Sequence, residues 1–147
     1  MEHNTWLVVE RYENWRVDKR MGFRFLGFPE RNSQAVKQMQ KGDKIVIYIA
    51  SKKSKLAAIY EVVSESPYYE TALVWDEIFP VRIKIHPEIV LDEGTFVSIK
   101  ELVPKLGFIK NKEHWRLYFY TTLKKLTRED YAILYEAIKQ KAIIRKG

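Results

Sequence analysis

The chain has 147 residues, a length that suits one domain built on one core, and carries a formal charge of +7. It contains no cysteine, which excludes disulfides, a thiolate nucleophile and cysteine-based zinc sites. Residues 1–9 lack the basic start and long apolar run of a signal peptide, and no later run approaches the roughly 18 apolar residues of a membrane span, so a soluble, cytoplasmic protein is expected.

Trp6 to Val9 reads as a first strand, followed by an aromatic, glycine-punctuated connection through Asn14, Trp15 and residues 19–29. Asn32 is placed to cap a helix over residues 33–40, with Ala35, Val36 and Met39 on one face and Gly42 as its stop. Residues 44–50 are β-branched and apolar on both alternating faces, the pattern of a covered central strand. A basic turn at residues 52–55 leads into a strand over residues 56–63 that can pair with it as a hairpin.

An irregular stretch holding Trp75 comes next. From Pro80 to Ile85, Val81, Ile83 and Ile85 alternate with Arg82 and Lys84, which predicts a half-buried strand showing water a basic face. Ser98 and Glu101 have the spacing of a capping box for a short helix through Leu102 to Leu106. Residues 106–115 then crowd bases and rings into a loop ahead of an aromatic strand at residues 116–120. Thr127 with Asp130 opens the last helix, in which Tyr131, Leu134, Tyr135 and Ile138 share a face. Helices on a mostly antiparallel sheet define an α+β domain, with a small barrel as one form of it.

No dinucleotide-binding glycine motif, phosphate-cradling loop or nucleophile elbow is present. His3, His86 and His114 have no spacing that specifies a metal, and the adjacent pairs Asp76–Glu77 and Asp92–Glu93 suit solvated turns. No catalytic residue, metal or cofactor is expected. Instead, aromatic and basic residues interleave: Trp15, Phe23, Arg24, Phe25, Phe28 and Arg31 early, then Trp115, Arg116 and Tyr118 late. Rings of this kind build cores, and they also stack on bases while Lys and Arg neutralise phosphates. Nucleic acid, RNA or DNA, is the expected partner.

Trp6, the Arg31-Asn32 pair opening a helix, Met39-Gln-Lys-Gly-Asp43 ahead of a strand ending in Tyr48, and Phe108 to Trp115 ahead of Leu126-Thr-Arg-Glu-Asp-Tyr131 together resemble the EVE domain family. That family belongs to the PUA-like superfamily and is related to YTH domains. The resemblance implies a single domain over residues 1–147, a small, twisted, mostly antiparallel β-barrel flanked by helices. It also implies a binding module rather than an enzyme, with a pocket for one nucleobase, modified or not; related YTH domains enclose a methylated adenine between aromatic rings.

Carried onto this sequence, the resemblance makes Phe28, Arg31, Asn32 and Ser33 candidates for the pocket wall, with helix capping as the other reading of Asn32. Trp15, Tyr48, Trp75 and Trp115 are candidate stacking rings, Trp75 as a mobile one; core packing is the other reading for Tyr48, and anchoring to the barrel for Trp115. Lys37, Lys41, Lys52, Lys53, Lys110, Lys112 and Arg116 are candidate backbone contacts. Some family members carry a Trp-rich segment before the Arg-Asn pair, whereas residues 25–30 here read Phe-Leu-Gly-Phe-Pro-Glu, so a smaller ring shapes the pocket. Two alternatives are an enzyme acting on a nucleobase or small anionic metabolite through His114 or Glu77, and a sensor of free nucleosides.

Overall fold

The computed structural model describes residues 3–50 and 54–146. Its strands are β1 (Thr5–Glu10), β2 (Phe25–Phe28), β3 (Lys44–Ile49), β4 (Lys55–Val62), β5 (Tyr68–Tyr69), β6 (Val81–Val90), β7 (Val97–Ser98) and β8 (Leu123–Leu126). Among the described residues three α-helices accompany them: α1 (Tyr12–Arg20), α2 (Ser33–Val36) and α3 (Arg128–Lys146). The strands form one sheet in the order β2-β6-β4-β3-β1-β8, with β5 added to β6 and β7 to β4, and it curls into a half-barrel of α+β class.

The two-sided apolar run becomes β3, buried at the middle of the sheet, and it pairs antiparallel with β4 as the expected hairpin. On its other side β1 runs parallel to it, because the chain passes through α1, β2 and α2 before returning; parallel neighbours need such a crossover. The other strand pairs are antiparallel. Asp43 ties the entry to β3 to the start of β1, accepting 3.0 Å hydrogen bonds from the Trp6 indole and the Asn4 and Gln40 N–H groups. Helix α3 begins as predicted, with Thr127 Oγ1 accepting from Asp130 N–H at 3.1 Å, and it buries Leu134 and Ile138. Among the described residues no helix is long and apolar enough to cross a membrane.

Five local expectations are corrected. The connection after β1 contains helix α1 and strand β2; α1 has no side-chain cap, and two of its three buried residues, Asn14 and Asp18, are polar, so it shows no apolar stripe. The helix expected over residues 33–40 stops at Val36 and is preceded by a 3₁₀ turn at Glu30–Asn32. The Ser98 box caps no α-helix: Ser98 makes no side-chain cap hydrogen bond, and Pro104 lacks the N–H that a continuing α-helix would use, leaving two 3₁₀ turns. Residues 116–120 are not a strand but largely part of a kinked 3₁₀ run, Lys112–Phe119, whose start is capped by Asn111 Oδ1 accepting from Glu113 and His114 N–H groups. Arg82 does not face water; it is buried.

Candidate functional site

One cavity of about 190 Å³ opens where β1, the start of α1, β2 and the segment before β6 meet. Its apolar wall includes Val8, Leu26, Phe28, Trp75 and Phe79, and its polar rim includes Arg11, Asn14, Arg31 and Glu77. This lies below the roughly 300–1,000 Å³ of sites for drug-sized ligands, so the space suits a single small ring system.

The segment ahead of β6 is irregular but firmly held. Trp75 donates its indole N–H to Asp18 Oδ1 at 2.7 Å, and the Asp76 N–H reaches Asn14 Oδ1 at 3.3 Å. Asp76 also accepts from Arg11 at 2.7 Å across the rim. From beneath, the Arg82 guanidinium lies 5.2 Å from the Trp75 ring and 5.8 Å from the Phe25 ring, while it donates to the carbonyls of Ala72 and Phe79. Trp75 is only 6% exposed, so it is a fixed wall rather than a mobile ring. Gly27 makes the close approach possible: a Cβ there would stand 2.5 Å from Trp75 Cζ3.

Beside this wall Glu10, which lines the cavity, and the buried Asp18 form an acid pair. Burial pushes the Glu10 carboxyl well above the usual range, and the Asp18 charge beside it acts in the same direction. Burial raises Asp18 as well, opposed by hydrogen bonds from Glu10 and Trp75. Among the described residues Glu10 Oε2 and Asp18 Oδ2 are buried without a hydrogen-bond partner, and a proton held on Glu10 and shared with Asp18 would satisfy both.

Of the candidate wall residues, Phe28, Arg31 and Trp75 line this cavity. Ser33 and Lys37 line a neighbouring hollow instead. Asn32 lies at the start of α2 without capping it through its side chain, and its Oδ1 is buried and unpartnered. Trp15 is fully buried, stacked with Tyr12 and edge-on to Phe96. Tyr48 is also a core ring, 4.2 Å from Phe119, and Trp115 packs edge-on against the same Phe119 under the Arg116 guanidinium. Trp15, Tyr48 and Trp115 therefore lie outside the cavity wall.

The candidate cations do not gather at one place. Lys41 pairs with Glu65, Lys112 donates to the Leu106 carbonyl at 2.6 Å, and Lys110 is exposed; Lys52 and Lys53 lie outside the described residues. His114 sits on the kinked 3₁₀ run, and of the two residues considered for catalysis only Glu77 borders the cavity. Sequence reasoning missed Arg11, Asn14, Asp18, Gly27, Phe79 and Arg82. Asn14 and Asp18 are four apart and share a helical face, a signal readable only once residues 12–20 are taken as a helix.

Comparison with known proteins agrees with this architecture. A UPF0310 protein of Pyrococcus abyssi is 33% identical over 142 residues, spanning 88% of this chain and 95% of that protein. A UPF0310 protein of Pyrococcus horikoshii is 33% identical over 144 residues, spanning 88% and 94%. Among solved structures, the YTH domain of mmi1, determined with RNA, superposes with a TM-score of 0.70 at 10% identity over 100% of this chain and 89% of that one. Rpa0253 from Rhodopseudomonas palustris superposes with a TM-score of 0.64 at 17% identity, over 93% and 94%. The EVE domain model matches residues 4–137, and the chain belongs to the EVE domain family.

Proposed function

We propose that the protein binds nucleic acid by admitting one unstacked base into the cavity walled by Trp75, Phe79 and Phe28, modified bases included. The observation that carries this reading is the pairing of that ring-walled, single-ring-sized space with exposed Arg31 at its edge. A flat heterocycle gains about 1–3 kcal/mol from stacking on an aromatic side chain, and its extrusion from a strand costs a few kcal/mol, so unpaired bases are favoured. Arg31 is exposed, has no partner among the described residues and is available to a phosphate. The mmi1 YTH domain was solved with RNA, which supports a nucleic-acid ligand for a fold of this kind.

The test is a titration of single-stranded RNA and DNA oligonucleotides, unmodified and base-modified, at several salt concentrations. Binding is expected to weaken steeply with salt, and Arg31→Ala to lower affinity evenly across sequences while reducing the salt slope by about 1. Absence of binding to any of these strands at low salt refutes the reading. Tight, salt-independent binding of free nucleosides alone favours a nucleoside sensor.

A further inference from the structure

Across the turn at residues 29–33 lies a second, more open hollow of about 470 Å³, lined among others by Glu30, Ser33, Lys37, Pro67, Tyr68 and Tyr69. The turn divides the two spaces: Pro29 and Arg31 border the cavity, Glu30 and Ser33 the hollow. The sheet also joins them, since Phe28 pairs with Val81 on β6, and Val81 pairs in turn with Tyr69 on β5. Gly27, Arg82 and Tyr68 form the adjoining row. Two strand spacings separate Phe28 from Tyr69, about 10 Å, or about three nucleotides at the roughly 3.4 Å rise of a stacked strand.

The hollow has the parts that a nucleotide needs. Tyr69 is 62% exposed, too open for a core ring, and its hydroxyl donates to Glu30 Oε1 at 3.0 Å, which steadies the ring against the dividing turn. Lys37 is exposed and has no partner among the described residues. A ring available on one face beside an unpaired cation fits a base and its phosphate better than it fits an apolar peptide.

We propose that this hollow holds a nucleotide about three positions along the strand from the one whose base enters the cavity, with its base on Tyr69 and its phosphate on Lys37. The ligand is then a short single strand that straddles the turn at residues 29–33. The proposal rests on the reading of the cavity as a base site.

It is tested by fluorescence anisotropy with labelled single-stranded hexanucleotides, with unlabelled mononucleotides as competitors, on Tyr69→Ala, Tyr69→Phe, Lys37→Ala and Trp75→Phe. Tyr69→Ala is expected to weaken hexanucleotide binding about 5- to 150-fold, to leave mononucleotide competition unchanged, and to be rescued by Tyr69→Phe. Lys37→Ala is expected to weaken the hexanucleotide and reduce its salt dependence. Hexanucleotide affinity within about twofold of the parent in Tyr69→Ala, while Trp75→Phe loses affinity, overturns the hollow and leaves the cavity standing. Loss with Tyr69→Ala but not with Trp75→Phe removes the cavity reading and with it the strand that straddles the turn, leaving the hollow as a separate nucleotide site. Equal loss for mononucleotide and hexanucleotide in Tyr69→Ala overturns the proposal, because the ring would then serve the cavity itself.

Discussion

Replacing Gly27 by Ala sets two opposing effects against each other. Gly27 lies in β2 without a positive φ, so an Ala there has an allowed backbone, and the stiffer chain would by itself add about 0.4–1 kcal/mol of stability. The new methyl, however, would stand 2.5 and 2.7 Å from two carbons of the Trp75 ring and 2.9 Å from Phe79 Cβ. Carbon atoms rest about 3.5–4.0 Å apart, so the ring must move by about 1 Å. It cannot do so freely, because the 2.7 Å hydrogen bond to Asp18 and the Arg82 guanidinium hold it. Overpacking costs about 1–3 kcal/mol, and loosening a hydrogen bond to a charged group adds about 1.5–3 kcal/mol where it breaks. The clash wins: Gly27→Ala is expected to lose about 1–2 kcal/mol in urea unfolding and to bind oligonucleotide more weakly while folded. Gly94→Ala is the control, since a Cβ there meets nothing within 4 Å. A Gly27→Ala protein that is more stable than its parent and binds as tightly would refute the packing of Trp75 described here.

Glu10→Gln tests the shared proton. A carboxyl whose pKa is raised on folding contributes stability that is fully present below its unfolded pKa and is lost as pH rises through the folded one. The parent should therefore lose stability from pH about 4.3 upward relative to Glu10→Gln, a gap visible in thermal melts across that range; a constant gap across pH contradicts the assignment. Arg82→Lys keeps the charge but cannot bridge the carbonyls of Ala72 and Phe79 while lying beside two rings, so it should cost about 2–3 kcal/mol in urea unfolding and increase proteolysis within residues 70–79. Unchanged stability would show that Arg82 is not the support of that segment.

The hairpin of β3 and β4 and the last helix were legible because each expresses a single rule along its length: apolar residues on both faces for β3, a cap followed by a 3.6-residue stripe for α3. The site was less legible because its scaffold breaks those rules. Helix α1 turns Asn14 and Asp18 inward, where they serve the Trp75 segment rather than the core, so the helix does not announce itself by apolar spacing. Arg82 alternates with valine and isoleucine as a solvent-facing residue would, yet the rings of Phe25 and Trp75 and two carbonyls take it out of water. Of the aromatic candidates, rings that line a cavity and rings that fill a core are chemically alike; only the fold separates Trp75 from Trp15.

Arg82 also bears on how the proposed base site would meet a ligand. Because a buried guanidinium fastens the 70–79 segment to the sheet, the receptacle is finished when folding ends, and no ordering step is left for the encounter. Capture should then be a single fast event, and differences among ligands should reside in how long each one stays.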